Sequence, residues 1–245
     1  MIYFVGAGAG DPELITLKGY KLLQEAQLVI YTGSLINKAI LKYASPRAKL
    51  ISSAGLNLQE IISLMEDAYN RSEKVVRLHT GDPSLYGAIG EQMEALKAKN
   101  IPFSIVPGVS SFLAAAASLK REYTVPGGTQ TVIITRLEGR THVPNGEGLQ
   151  HLAAHGASMV IFLSTAMLDK VVDELLKSYS PDTPAAVVEK ASWPEERIIS
   201  GPLNKIGVLT KEAGITKTAL VLVGEFLTSH GRSKLYDPEF SHEYR

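Results

Sequence analysis

The chain of 245 residues contains no cysteine and no long apolar segment. The absence of cysteine excludes disulfides, a thiolate nucleophile and cysteine ligands for zinc or iron–sulfur clusters. No run approaches the ~20 apolar residues that a membrane-spanning helix needs. The first residues, Met1 to Val5, are typical of a strand and not of a signal peptide. We therefore expect a soluble, cytoplasmic protein with no membrane partner.

An excess of charge of either sign is also missing, since 25 basic residues balance 25 acidic ones. A general nucleic-acid binder needs a basic face that displaces counterions from phosphates, so no nucleic-acid partner is expected. The histidines include one pair at helical spacing, His151 and His155, but it lacks the glutamate of a zinc-enzyme motif. No metal site is predicted.

The first half of the chain alternates short β-branched runs with helical segments, which is typical of βα units around a parallel sheet. The predicted strands are Ile2–Val5, Leu28–Tyr31, Lys49–Ser52, Val75–Leu78 and Phe103–Val106. Each strand is followed by turn or capping residues. In a parallel sheet these turns meet at one edge, where α/β proteins bind ligands.

A segment with charges, Pro126 and two glycines then interrupts the pattern. The strands predicted after it are Thr131–Thr135, Met159–Leu163, Ala185–Glu189 and Ala219–Val223, with a hairpin that joins Val187 to Ile199. We predict an α/β protein of two α/β domains, the first with a mainly parallel sheet, the second with a mixed sheet, and a cofactor cleft between them. The predicted boundaries are 1–120 and 129–228, with a linker over 121–128 and a tail over 229–245.

Three glycine-containing turns follow strands of the first half. They are Gly6 to Pro12 (GAGAGDP), Gly81 to Pro83 (GDP) and Pro107 to Ser111 (PGVSS). The first is not a dinucleotide fingerprint, because Asp11 stands where the third glycine is needed, and no Gly-Lys-Ser/Thr follows to make a P-loop. Each turn also has a purely structural interpretation, in which Asp82 and the serines cap helices and the first turn is simply tight.

Together, in this order, the three motifs resemble those of the tetrapyrrole methylases, which use S-adenosylmethionine, and the resemblance covers nearly the whole chain. Residues 81–90 (GDPSLYGAIG) and 135–140 (TRLEGR) are most similar to the branch of this family that methylates C11 of precorrin-4 or cobalt-precorrin-4 in corrin synthesis. The uroporphyrinogen-III methylases of the family carry an arginine where this chain has Ala88. The resemblance implies a tetrapyrrole substrate and a homodimer, the latter also favoured by the small residues of Ala114–Ala117.

The resemblance assigns roles to particular residues. The Gly6–Pro12 turn becomes a flexible loop that closes over the tetrapyrrole. The candidates for a catalytic proton acceptor are Asp11, Tyr86 and Asp82, which the sequence does not rank. The predicted cofactor contacts are Pro12, Gly81, Asp82, Pro83, Ser110, Ser111, Leu163, Ala191 and Ala219. The predicted contacts with the carboxylated ring are Arg136, Arg140, His79 and Arg121.

Two alternatives stay open at this stage. The chain could methylate another tetrapyrrole position, such as C2 and C7 of uroporphyrinogen III, or it could be a binding module that kept a nucleotide-like fold without chemistry. Each arginine could equally be a solvated surface charge. Binding of S-adenosylhomocysteine separates a methylase from a module that binds nicotinamide or adenine nucleotides.

Overall fold

The computed structural model describes residues 1–229, 231–237, 240 and 241, so the predicted tail lies partly outside the described residues. The chain forms two compact units, one of residues 1–114 with 191–195 and one of residues 115–190 with those from 196 onward. The predicted domain boundaries stay a prediction. Among the described residues, no helix combines the length and apolar character that crossing a membrane requires.

The first unit is built on a sheet of five strands whose neighbouring pairs are all parallel, as the alternating pattern predicts. Its spatial order is β3-β2-β4-β1-β5. The strands are β1 (Ile2–Gly6), β2 (Leu28–Tyr31), β3 (Lys49–Ser52), β4 (Val75–His79) and β5 (Phe103–Val106). The helices are α1 (Leu17–Glu25), α2 (Leu58–Asn70), α3 (Ile89–Ala98) and α4 (Ser111–Leu119), the last of which continues into the second unit.

Helices cover both faces of this sheet, which is why its central strands are mostly apolar and have few exposed residues. Ile2 and Phe4 of β1 pack into the cluster that includes residues of α2 and α3, while Val5 packs into the cluster that includes residues of α1. Complete burial of such a side chain contributes about 1.5–3 kcal/mol. All five residues of β4 are buried, including its two polar ones.

The second unit contains a mixed sheet, as predicted, in the order β6-β7-β10-β8-β9. β6 and β7 are parallel, and the other neighbouring pairs are antiparallel. The strands are β6 (Val132–Arg136), β7 (Ser158–Phe162), β8 (Pro184–Glu189), β9 (Arg197–Pro202) and β10 (Ala219–Val223). The helices that follow α4 are α5 (Leu149–Ala153), α6 (Leu168–Leu175) and α7 (Leu203–Glu212).

The segment 121–128 packs within this second unit. The ring of Tyr123 lies 4.9 Å from the ring of Phe226, centroid to centroid. The hydroxyl of Ser158 donates a 2.7 Å hydrogen bond to the carbonyl of Tyr123. These contacts anchor the connection to the start of β7 and to the turn that follows β10.

The turns after β1 and β4 are joined through their backbones. The amide of Gly8 donates to the carbonyl of Gly81 at 3.3 Å, and the amide of Gly81 donates to the carbonyl of Gly8 at 2.9 Å. The amide of Ala7 adds a 2.7 Å bond to the carbonyl of His79. The two predicted motifs therefore form one connected surface at the carboxyl edge of the sheet.

Glycine is required where these turns meet the turn after β5. A Cβ atom on Gly108 would lie 2.2 Å from the carbonyl oxygen of Gly81, and one on Gly6 would lie 2.6 Å from the Cα of Gly108. Both distances are shorter than any non-bonded contact of a real side chain. Three motifs that are far apart in the sequence thus pack backbone against backbone.

We expect Gly108→Ala to destabilise the protein, because the added methyl group must push the β4 and β5 turns apart. Overpacking of this kind costs about 1–3 kcal/mol. In a protein of this size each kcal/mol lowers Tm by about 2–4 °C, which calorimetry or circular dichroism measures. Gly90→Ala is the matched control, since a Cβ atom there meets open space and alanine favours the helix. Equal Tm values for the two variants would contradict the required close approach.

Candidate active site

Asp82 lies in the turn after β4, and both oxygens of its carboxylate accept hydrogen bonds. Oδ1 accepts the hydroxyl and, at 2.8 Å, the amide of Ser84, and Oδ2 accepts the amide of Gly108 at 2.8 Å. Partial burial opposes ionisation, but these hydrogen bonds outweigh it and lower the pKa of Asp82 from its ordinary value. Asp82 is therefore an ionised crosslink between the β4 and β5 turns, and it does not cap a helix, because α3 begins only at Ile89.

Four of the predicted cofactor contacts, Gly81, Pro83, Ser110 and Ser111, belong to the turns that this crosslink joins. Gly81 has φ of +61°, and a Cβ atom on it would lie 3.4 Å from the Cα of Ser110 and 3.6 Å from the amide nitrogen of Ser111. Pro83 is buried, as is the side chain of Ser110. The first turn of α4 thus faces the Gly-Asp-Pro turn across a narrow gap.

The loop from Gly6 to Pro12, predicted to be flexible, is held by hydrogen bonds along its length. The side-chain amide of Asn37 donates to the carbonyl of Gly10 at 2.9 Å. Asp11 caps the short turn at Pro12–Leu14 by accepting the amide of Glu13 at 2.9 Å. Its own amide donates to the hydroxyl of Ser192 at 3.0 Å. The carboxylate of Asp11 is therefore oriented by the turn that it caps.

Trp193 covers the same loop. Its indole nitrogen donates to the carbonyl of Ala9 at 3.1 Å, and a Cβ atom on Gly10 would lie 1.9 Å from its Cδ1 atom. The third glycine of the GAGAG run is thus required by the indole ring and not by a phosphate. Sequence reasoning missed Ser192 and Trp193, and the only available signal was that Trp193 is the sole tryptophan of the chain.

Tyr86, a predicted catalytic residue, sits in a strained segment. Tyr86 has φ of +55° and Ala88, which precedes α3, has φ of +48°, values that non-glycine residues adopt at a cost. The tyrosine side chain is 44% exposed. Gly87 between them lies so close to the chain that a Cβ atom there would be 2.2 Å from the carbonyl of Pro83.

His79, predicted to contact substrate, is instead part of the core. Its side chain is 2% exposed, and its ring lies 6.0 Å from that of Phe4. Burial, with a smaller contribution from the charge of Arg77, lowers the pKa of His79 to about 3. The imidazole is therefore neutral at physiological pH, and it does not offer a positive charge to a carboxylate.

In the second unit, three strained residues line one edge of the sheet. Leu163 follows β7, Lys190 follows β8 and Thr218 precedes β10, and their φ angles are +54°, +49° and +55°. β10 runs antiparallel to the other two strands, so all three residues lie at the same edge. Each such residue costs about 1–2 kcal/mol, and strain of this kind clusters at ligand-binding sites.

The predicted cofactor residues of this unit coincide with that edge. Leu163 is itself one of the strained residues, and its apolar side chain is 63% exposed. Ala219 follows Thr218 and is buried, with its carbonyl accepting the hydroxyl of Thr165 at 3.0 Å. Ala191, which follows Lys190 but belongs to the 191–195 segment of the first unit, is also buried. The positive φ angles were not readable from the sequence.

Arg136 ends β6 at the same edge and binds its own loop. Its guanidinium donates to the carbonyls of Thr141 at 3.1 Å and His142 at 2.7 Å, with a longer bond to Leu137. Arg140 is an exposed residue of the loop so held. The pair is thus brought together, with Arg136 shaping the segment that presents Arg140.

Arg121 does not join them. It lines a cavity of about 460 Å³ in the second unit together with Asp182, Pro184 and Pro202. Pro184 begins β8 and Pro202 ends β9, which puts this cavity at the edge of the sheet opposite to Lys190. Within the second unit, the structure therefore separates Arg121 from Arg136 and Arg140.

In each unit, the edge of the sheet that carries predicted cofactor residues has features that suit S-adenosylmethionine. This molecule has an adenine ring, hydroxyl groups and a charged amino-acid end. In the first unit the small residues Gly81, Ser110 and Ser111 leave room for close approach of a ligand to the backbone. In the second, Leu163 presents apolar surface beside strained backbone. By contrast, the described side chains form no group of three His, Asp or Glu residues that could hold a metal ion.

The chain is similar in sequence to known methyltransferases. The sequence model of the family described as tetrapyrrole (corrin/porphyrin) methylases matches residues 1–207. A cobalt-precorrin-4 C(11)-methyltransferase of Methanocaldococcus jannaschii is 53% identical over 247 aligned positions, which cover 100% of this chain and 95% of that protein.

Solved structures agree in fold. A crystal structure of a cobalt precorrin-4 methyltransferase superposes with a TM-score of 0.91 at 44% identity, covering 93% of this chain and 96% of its own. The uroporphyrin-III C-methyltransferase of Thermus thermophilus, complexed with S-adenosylhomocysteine, superposes with a TM-score of 0.75 at 30% identity, covering 93% of each chain.

We expect Asp82→Asn to lower the free energy of unfolding at pH 7, because the amide cannot accept from both Ser84 and Gly108. The folded-state pKa of Asp82 is depressed, so its stabilisation is present above the unfolded pKa of about 3.9 and is lost as pH falls through the folded value. The difference in the free energy of unfolding between wild type and Asp82→Asn, measured by urea unfolding, should therefore shrink as the pH falls from ~5 to ~2.

Asp173→Asn is the control for that series, since Asp173 is an exposed carboxylate on α6. It should change stability little at any pH. A pH-independent effect of Asp82→Asn would show that its charge does not hold the two turns together.

Proposed function

Because the chain belongs to the tetrapyrrole (corrin/porphyrin) methylases, we propose that it is an S-adenosylmethionine-dependent methyltransferase that methylates C11 of cobalt-precorrin-4 or precorrin-4 in cobalamin biosynthesis. The observation that carries the proposal is the 53% identity, over the whole chain, to a cobalt-precorrin-4 C(11)-methyltransferase. The uroporphyrin-III relative is less similar in both sequence and fold, with 30% identity and a TM-score of 0.75. Methylation of uroporphyrinogen III is therefore the less favoured activity.

The methyl donor, when bound, supplies a methyl group on a positively charged sulfur that a nucleophilic ring carbon accepts. The residues of the chain then have to align the reactants and exclude water, and alignment alone lowers a barrier by several kcal/mol. We assign cofactor binding to Gly81, Pro83, Ser110 and Ser111 in the first unit. Leu163, Ala191 and Ala219, at or beside the strained positions, are the corresponding proposal for the rest of the chain.

We assign different tasks to Asp82, Asp11 and Tyr86, the three candidates for the catalytic proton acceptor. Both oxygens of Asp82 are engaged by Ser84 and Gly108, and its lowered pKa makes it a weak base, so its task is to fix the turn. Asp11 and Tyr86 stay the candidates for moving a proton. Arg140, held in its loop by Arg136, is the proposed contact for a substrate carboxylate, since a guanidinium binds carboxylates in a bidentate manner.

Incubation of the enzyme with S-adenosylmethionine and either a precorrin-4-type substrate or uroporphyrinogen III tests the reaction. We expect a new methyl group at C11 of the former, located by NMR, with and without cobalt in the ring. Methylation of uroporphyrinogen III alone would refute the C11 assignment. If the protein bound adenine nucleotides but not S-adenosylhomocysteine in calorimetry, the methylase class itself would be wrong.

The variant Leu163→Gly distinguishes the backbone strain at residue 163 from the proposed contact of the Leu163 side chain with the cofactor. Glycine adopts positive φ freely, so stability should hold or rise by up to about 1–2 kcal/mol. Loss of the apolar side chain should weaken binding of S-adenosylhomocysteine about tenfold or more, as measured by calorimetry. Lys120→Gly is the control, because Lys120 also has positive φ (+54°) but lies at the end of α4. An unchanged affinity for Leu163→Gly would remove that residue from the site.

We further propose a homodimer that acts in the cytoplasm and without nucleic acid. The family resemblance supports the dimer more than the alanine run does, because Ala114, Ala115 and Ala116 are buried within the chain itself. Sedimentation should give about twice the chain mass of 26.5 kDa. A monomer at all concentrations would refute the dimer.

A further inference from the structure

A buried arginine lies in β4, the strand that leads into the Gly-Asp-Pro turn, and it has no task in the proposed function. The side chain of Arg77, in the middle of β4, is 4% exposed. Burial lowers its pKa to about 10, so it still carries its charge at neutral pH. None of the ion pairs among the described side chains includes Arg77. An uncompensated buried charge costs several kcal/mol, so its presence requires a reason.

The polar partners of Arg77 connect it to the neighbouring strand β2 and to α3. Its Nε donates to the Oε1 of Gln92 at 3.1 Å, and one terminal nitrogen donates to the carbonyl of Ile30 at 3.3 Å. The Nε2 of Gln92 donates to the carbonyl of Ala88 at 3.0 Å. Gln92 is itself only 5% exposed. The hydrogen bonds form a chain from the centre of the sheet to the residue that precedes α3.

Ala88, at the end of this chain, is strained, and the strain is shared with Tyr86 two residues earlier. Strained residues persist only where the surroundings fix them. The side-chain bond from Gln92 gives the carbonyl of Ala88, the N-cap of α3, a second donor besides the first backbone bond of the helix. The charge of Arg77 fixes which way the Gln92 amide points, because a guanidinium can donate only to the oxygen of that amide.

We propose that Arg77 and Gln92 are positioning residues that hold the segment Leu85–Ala88 in the conformation in which it receives the tetrapyrrole. The proposal rests on the proposed function, since it assigns this segment to the acceptor side of the reaction. Neither residue touches substrate. They act through the backbone of Ala88 and so on the placement of Tyr86.

The test uses Gln92→Glu and Gln92→Met in the full-length protein. The glutamate keeps an acceptor for Arg77 but removes the donor to the carbonyl of Ala88, whereas methionine removes both. We expect both variants to raise KM for the precorrin-4-type substrate about tenfold, the loss that one hydrogen bond from a buried group produces. The Kd for S-adenosylhomocysteine should change less than about twofold.

A purely structural role predicts a different pattern. Gln92→Glu gives the guanidinium an anionic partner in place of the neutral amide and should be at least as stable as Gln92→Met in urea unfolding. If KM followed stability, so that the glutamate variant behaved like wild type, the proposal would be overturned. Gln59→Glu, the same change at an exposed position of α2, should alter neither quantity.

Glycine at position 88 supplies a rescue. In the Ala88→Gly background the left-handed conformation has little cost, so Gln92→Glu should lose less than about threefold in kcat/KM instead of about tenfold. An equal loss in both backgrounds would show that Gln92 does not act through the conformation of residue 88.

Hydrogen–deuterium exchange of the amides from 84 to 89 tests the same coupling without any substrate. We expect faster exchange in Gln92→Glu and no change in Gln59→Glu. If wild type fails to methylate the tetrapyrrole, the proposed function fails, but this readout still decides whether Gln92 holds the segment. Unchanged exchange in Gln92→Glu would refute the positioning role whatever the reaction.

Discussion

Backbone-to-backbone contact among Gly6, Gly81 and Gly108 is the constraint on which the rest of the first unit's ligand-facing edge depends. The Gly8–Gly81 pair of hydrogen bonds and the Asp82–Gly108 bond can form only because no side chain separates the three turns. The parallel sheet supplies the framework, since it delivers the ends of β1, β4 and β5 to one edge. The glycines then set how closely those ends pack.

Much of this framework was predictable from the sequence. The strands Leu28–Tyr31, Lys49–Ser52 and Phe103–Val106 have the bounds that their β-branched composition predicts, and the hairpin of the second sheet is where Val187 and Ile199 indicate it. These elements are determined locally, by runs of apolar residues that end in turn-forming ones. The carboxyl-edge turns follow from the same local pattern once the strands are parallel.

The parts of the site that were not predictable depend on contacts between distant segments. The fit of Trp193 over Gly10 joins residues that are far apart in the sequence, and no local pattern reports it. The burial of His79 has a related cause, because a strand covered on both faces shows no alternation to tell a core position from an exposed one. The positive φ of Leu163 and Thr218 contradicts their local preference and is imposed by the sheet edge.

The chain path has a consequence for any attempt to divide the protein genetically. Residues 191–195 belong to the first unit, although nearly all of the sequence around them belongs to the second. A gene fragment that stops after α4 would therefore encode a first unit without its indole cover, and the GAGAG loop would open to solvent where Trp193 now packs. Only a circularly permuted or spliced gene that appends this pentapeptide would encode the unit as it is folded here.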